Sequence, residues 1–267
     1  MRLIRCETVN GKECFGEELS GNRVQPMKGC MYGDFEPDGG VAGIKRLLAP
    51  VKPANILCVG LNYYEHAVES GNEAPATPVV FMKPTSSVTD PDTPIRIPKA
   101  ADPRGEVDYE VELAVVIGKK AVNVTESRAL DYVLGYTVAN DVSARTIQLE
   151  SPGTQWDRGK GFDTFCPLGP AIVTADEIED PQKLRLKTVL NGDVMQDYSA
   201  DKMIFSVAAL ISYLSSDTTL LPGTVILTGT PPGVGFARTP PVFLMPGDNV
   251  QVEISSIGTL KNTVVKA

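Results

Sequence analysis

EVDYEVELAVVIG, residues 106–118, changes character halfway along: acids at 106, 108, 110 and 112 alternate with Val107, Tyr109, Val111 and Leu113, and an unbroken apolar run, AVVI, then follows. Period-two alternation is the mark of a β-strand, whose successive side chains take opposite faces. The apolar continuation places that strand in an interior. Glu110 and Glu112 therefore share a face about two residue rises apart, and an acidic row entering a core requires a cation or a charge partner. A second apolar strand, VLGYTVAND (133–141), ends in Asp141 and can deliver a third carboxylate to the same place.

Outward from this pair, the chain from ILCVGL (56–61) onward alternates short β-branched runs with turn clusters, as a mostly β domain with few helices does. In LKTVLNGDVMQ (186–196), Asn191-Gly192 suits the positive φ angles of a type I′ hairpin turn. Val250, Val252 and Ile254 alternate with Gln251 and Glu253, predicting a half-buried strand. Two helices are read: 125–134, with Thr125 as N-cap and Gly135 just past the end, and 200–214, where Met203, Ile204, Val207, Leu210, Ile211 and Leu214 form one apolar stripe. Residues 1–50 are rich in Gly and short polar turns, and MKGCMYGDFEPDGG (27–40) suits neither a long helix nor a long strand. The expected organisation is a small N-terminal domain or arm over 1–50 ahead of a main domain over 51–267, in a mainly β (α+β) class.

Composition narrows the chemistry. With 267 residues, 42% hydrophobic content, a net charge of -8 and a pI near 4.8, the chain offers no basic field for nucleic acid or an anionic membrane. No apolar run reaches the ~18 residues of a membrane span, and MRLIRCETVNGKECFG lacks the apolar stretch of a signal peptide. A soluble, cytoplasmic protein is expected. The five cysteines are scattered and odd in number, without a CxxC pair, which favours reduced thiols. The single histidine, His66, leaves imidazole-rich zinc, copper and iron sites without ligands, so a bound metal must be held by oxygen. Glu110, Glu112 and Asp141 then favour a hard cation, Mg²⁺ or Mn²⁺, ahead of Ca²⁺.

Three further segments carry chemistry. In GLNYYEHAVESG (60–71), a helical turn puts His66 and Glu69 on one face, where the carboxylate orients the imidazole and raises its basicity as a general base. The following loop, GNEAPATP (71–78), is bounded by Gly and Pro and suits a lid over a ligand. WDRGKGFDTFCPLGP (156–170) sets Lys160 among glycines, able to approach a ligand and neutralise developing enolate charge. LTGTPPGVG (227–235) matches neither nucleotide-binding glycine motif; its Thr230 and backbone N–H groups suit a carboxylate.

Taken in order, GLNYYEHAVE, FMKP, DYEVELAVVIGK, GYTVANDVSAR, the QW-x-RGKGFDTFCPLGP block and LTGTPPGVG resemble the signature blocks of the fumarylacetoacetate hydrolase family over about residues 55–260. The nearest likeness is to its short, domain-containing members of type 2, through FDTFCPLGP and TGTPPGVGFARTPPVFL. The resemblance implies a mixed β-sandwich roll as catalytic domain, usually in a homodimer, with Mg²⁺ or Mn²⁺ on Glu110, Glu112 and Asp141. It also implies a His66–Glu69 dyad, Lys160 beside the metal, and Arg145, Gln148, Thr164 and Thr230 lining or supporting the substrate pocket. Larger members carry one more aspartate shortly before the histidine, where this chain reads ILCVGLNYY, so three protein ligands are expected. The implied substrate is a small 2-oxo acid, with acylpyruvate or fumarylpyruvate hydrolysis as the leading reaction. Oxaloacetate decarboxylation or tautomerisation, isomerisation or hydration of aromatic-degradation intermediates, and ligand binding without catalysis stand as alternatives.

Overall fold

The acidic alternation becomes two successive ladders in a computed structural model that describes residues 1–101 and 104–267. Val107–Asp108 pairs with Ser143–Ala144, and Val111–Ile117 lies between Val133–Asn140 and Val225–Leu227. All seven residues of Val111–Ile117 are buried. Leu113, Val115 and Ile117 enter one core with Tyr136, Val138, Leu186, Val252 and Leu260. Ala114 and Val116 face the other way, into a second core with Leu3, Ile56, Cys58, Val225 and Leu227. Burial on both faces explains the unbroken AVVI run, and each large aliphatic there contributes roughly 1.5–3 kcal/mol.

This strand sits inside a 12-stranded mixed sheet; a five-stranded sheet, ordered Asp193–Ser199, Arg185–Leu190, Asn249–Ile254, Gly258–Lys266, Ile95–Ile97, packs on it through the first core. The mainly β architecture with few helices is as expected. Residues 1–50 form strands Arg2–Thr8, Glu13–Leu19, Arg23–Gly29, Phe35–Pro37 and Ala42–Leu48, which join the large sheet where Arg2–Thr8 pairs with Cys166–Thr174. The Asn191-Gly192 hairpin closes with φ of 54° and 96° at its two turn residues, and Leu190 faces Asp193. Val250, Val252 and Ile254 are buried as their alternation requires.

Both expected helices are shorter than read. Over 125–134 the chain makes a 3₁₀ segment, Glu126–Tyr132, without a Thr125 side-chain cap, because residues from Val133 are claimed by the ladders. Gly135 is a strand residue rather than a helix stop: a Cβ there would lie 2.3 Å from the Val173 carbonyl oxygen. Over 200–214 the α-helix is Val207–Leu214, with the Ser206 hydroxyl accepting from the Ala209 N–H. The preceding turn is held instead by Asn62, whose carbonyl accepts from Ile204 N and whose Oδ1 accepts from Phe205 N. Among the described residues no helix is long and apolar enough to cross a membrane.

Candidate metal centre and active site

Strand register assembles the acids. Val111 opposes Asn140 and Glu112 opposes Ala139, so Asp141 falls across from Glu110, whose carbonyl accepts from Asp141 N at 2.9 Å. Opposed residues of an antiparallel pair share a face. Glu110, Glu112 and Asp141, all buried, consequently offer oxygens within 4.8 Å of one another.

Two cavity-lining cations answer this charge directly. Lys160 Nζ donates to Glu110 Oε2 (2.9 Å), Asp141 Oδ2 (2.8 Å) and Ser143 Oγ (2.7 Å), which commits all its hydrogens. Arg145 Nη1 lies 2.7 Å from Glu110 Oε1 and donates to Gln148 Oε1 at 3.0 Å. Its Nε donates to Asp108 Oδ2 at 2.9 Å, and its guanidinium stacks 4.3 Å from the Phe236 ring centroid. Burial alone would raise the Glu110 carboxyl, but Lys160 and Arg145 outweigh it and hold the group at about 2. Glu112 has one backbone partner, the Gly229 N–H at 2.7 Å, and burial, then Asp141 and Glu110, push its carboxyl well above the ordinary range. Three crowded carboxyl oxygens, one of them resisting ionisation, form an all-oxygen donor set that fits a hard divalent cation.

The dyad also forms. After strand Ile56–Gly60 the chain turns through Leu61, at φ 54°, into the short helix Tyr64–Glu69. His66 Nδ1 lies 2.8 Å from Glu69 Oε1, and the Glu69 carboxylate accepts the Gly233 N–H on both oxygens, at 3.1 and 2.9 Å. A carboxylate accepts, so this pairing calls for a hydrogen on Nδ1, and a neutral ring so paired has its lone pair on Nε2. A cavity of about 470 Å³, counting space open to solvent, is lined by His66, the three carboxylates, Arg145, Gln148, Lys160 and Thr230, with Trp156 and Phe236 among its walls. Ser70, just ahead of the expected lid, and Asn72, within it, reach the cavity as well.

The predicted residues are therefore brought together with one exception. Thr164 stands apart from the cavity: it occupies a turn at φ 68° and its hydroxyl accepts from the Arg96 N–H at 2.9 Å, so it holds a loop instead of lining the pocket. Thr230 lines the cavity, yet its hydroxyl donates to Val111 O (3.0 Å) and accepts from Gln196 Nε2 (2.8 Å), tying the Gly-rich turn to the acidic strand. The glycine before Lys160 serves packing: a Cβ on Gly159 would lie 2.7 Å from the Gln148 backbone, where helix Trp156–Lys160 crosses helix Arg145–Glu150.

Two residues escaped the sequence reading. Asp108, fully buried, accepts from the N–H groups of Tyr109, Gly235 and Phe236 as well as from Arg145. Lys83 lies 2.6 Å from Asp141 Oδ1. Each had a signal: Asp108 shares the acidic alternation, and in VVFMK (79–83) period two puts Lys83 on the face of buried Phe81.

Residues 55–265 match the family model "Fumarylacetoacetate (FAA) hydrolase C-terminal". The chain is 51% identical over 220 residues to the mitochondrial oxaloacetate tautomerase fahd2 of Xenopus laevis, covering 82% of this chain and 68% of the frog protein. Human mitochondrial oxaloacetate tautomerase FAHD2A is 48% identical over 219 residues, covering 82% and 69%. Among solved structures, 5-carboxymethyl-2-hydroxymuconate delta-isomerase from Mycobacterium smegmatis is 39% identical, with a TM-score of 0.87 and complete coverage of both chains. The expected cytoplasmic location is overturned by the frog and human relatives, which are mitochondrial. Scattered thiols and an acidic charge describe a chemical environment, not an address, which is why composition misread it.

Proposed function

This chain belongs to the fumarylacetoacetate hydrolase family, and from that premise we propose that it interconverts the keto and enol forms of a small 2-oxo diacid of the oxaloacetate type, with Mg²⁺ or Mn²⁺ held by Glu110, Glu112 and Asp141. The observation that carries the reading is the 48–51% identity to oxaloacetate tautomerases over 219–220 residues, in a chain whose matched family region, residues 55–265, contains every residue of the cavity. Acylpyruvate hydrolysis, the leading expectation from sequence, yields to this alternative.

Charge favours an anionic substrate. Four buried carboxyl groups (Asp108, Glu110, Glu112, Asp141) face three buried cations (Lys83, Arg145, Lys160), so a divalent ion leaves the cluster net positive and suited to a dianion. When bound, the ion supplies Lewis acidity at the 2-oxo oxygen. Glu69 fixes the His66 ring, and His66 Nε2 takes a proton from C3 and returns it to the C2 oxygen; the C3–H bond breaks, an O–H bond forms and nothing leaves. The reverse sequence converts enol to keto. Lys160, its hydrogens committed, lowers the cost of developing negative charge through its field. Trp156 and Phe236 limit water at the reacting carbon.

Identity to the mycobacterial isomerase supports a second reading, proton transfer along an unsaturated 2-hydroxy diacid by the same base. Incubation with Mg²⁺ and oxaloacetate, acetylpyruvate or a 2-hydroxymuconate separates the readings. Tautomerisation changes the enol signal of oxaloacetate without pyruvate, whereas pyruvate from acetylpyruvate would restore the hydrolase.

A further inference from the structure

Strand Val79–Lys83 lies at the edge of the 12-stranded sheet, paired with Ile56–Gly60. It ends in a lysine whose side chain is 0% exposed. An ammonium so placed is costly unless charged and polar partners surround it. Its Nζ lies 2.6 Å from Asp141 Oδ1, donates to Val142 O at 3.2 Å and also donates to the backbone carbonyl of Lys160. Asp141 thus has an ammonium on each oxygen, Lys83 on Oδ1 and Lys160 on Oδ2. Of the three buried cations, Arg145 and Lys160 line the cavity and Lys83 does not. Lys83 is behind the carboxylates, out of reach of a substrate, and what it touches is a candidate metal ligand and the peptide that carries the cavity lysine.

We propose that Lys83 is a positioning residue that keeps the carboxylate cluster assembled before a cation arrives, pinning Asp141 Oδ1 and anchoring the carbonyl end of helix Trp156–Lys160. Arg145 and Lys160 alone leave the buried carboxyl cluster short of positive partners in the chelated protein, and Lys83 supplies a further one at Asp141 Oδ1. A cation entering the site takes over part of the same duty. The inference rests on the proposed metal site in one arm of its test only.

The test is melting of wild type, Lys83→Met, Asp141→Asn and the double variant, first in EDTA and then with saturating Mn²⁺. In EDTA, Lys83→Met melts roughly 10 °C below wild type, as loss of one partner of a buried pair implies. The double variant recovers at least half of the loss expected from adding the two single effects, because neither charge then lacks its partner. Mn²⁺ narrows the gap between Lys83→Met and wild type by half or more, and Lys83→Arg stays nearer wild type than Lys83→Met does. A lysine that merely fills space gives the opposite: additive losses and equal Mn²⁺ shifts in wild type and Lys83→Met, which would overturn the proposal. If Lys83→Met does not fold, the double variant must, and its failure to fold is equally contrary. Should Mn²⁺ shift no variant, the metal reading falls while the coupling to Asp141 still decides the role of Lys83.

Discussion

Among single residues, Glu112 gives the sharpest prediction, because its burial and its acidic neighbours oppose ionisation. A carboxyl whose folded value is raised binds its proton in the folded chain where the unfolded chain has released it. Stability is therefore intact below the ordinary value of 4.5 and falls as pH rises above it. In EDTA, Glu112→Gln should melt above wild type by about 3 °C for each pH unit above that value while the native group stays protonated. The two should converge at lower pH, and the same variant should lose its response to Mg²⁺. Melting curves from pH 4 upward check this. His66→Ala should lower turnover by roughly 10²–10⁴-fold with little change in melting, the range for a positioned acid or base. Much of this was legible: alternation fixed the face of Glu110 and Glu112, and a strand ending in Asp141 supplied the third acid. Thr164 was misplaced because a hydroxyl among glycines reads alike whether it faces a ligand or, as here, accepts a backbone N–H at φ 68°.

Elements place these residues, and two substitutions separate placement from stability. Gly159→Ala should force helices Trp156–Lys160 and Arg145–Glu150 apart, since its Cβ would sit 2.7 Å from the Gln148 backbone. Displacing Lys160 and Arg145 together should cost turnover at least ~10-fold, as small misplacements of positioning groups do. Ser206→Ala removes the cap of helix Val207–Leu214, none of whose residues lines the cavity, and should lower melting by about 2–4 °C for a loss near 1 kcal/mol with turnover unchanged. Steady-state rates beside melting temperatures test both. The helix boundaries were the poorest part of the sequence reading for a physical reason: Val133 to Gly135 are held by a ladder and Ile204 and Phe205 by Asn62, long-range partners that a local pattern does not reveal. Strands carrying a strict period of two, and the Asn191-Gly192 turn, needed no such partner and were read correctly.

At the scale of the whole molecule, two sheets bury the acidic strand deeply enough that its charge must be balanced internally, and this links fold to function. A cation at 100 times its dissociation constant should add about 2.7 kcal/mol, or roughly 5–10 °C, which EDTA should remove. That the mostly β class was legible while the cellular location was not has the same root: packing is written in side-chain periodicity, whereas an address is not. The most direct test of the proposed activity is the ultraviolet absorbance of enol oxaloacetate mixed with the Mg²⁺-loaded protein, beside Glu112→Gln and His66→Ala. The account predicts decay of the enol signal faster than in buffer, without pyruvate, and lost in both variants; an unchanged enol signal, or decay matched by pyruvate release, would contradict it.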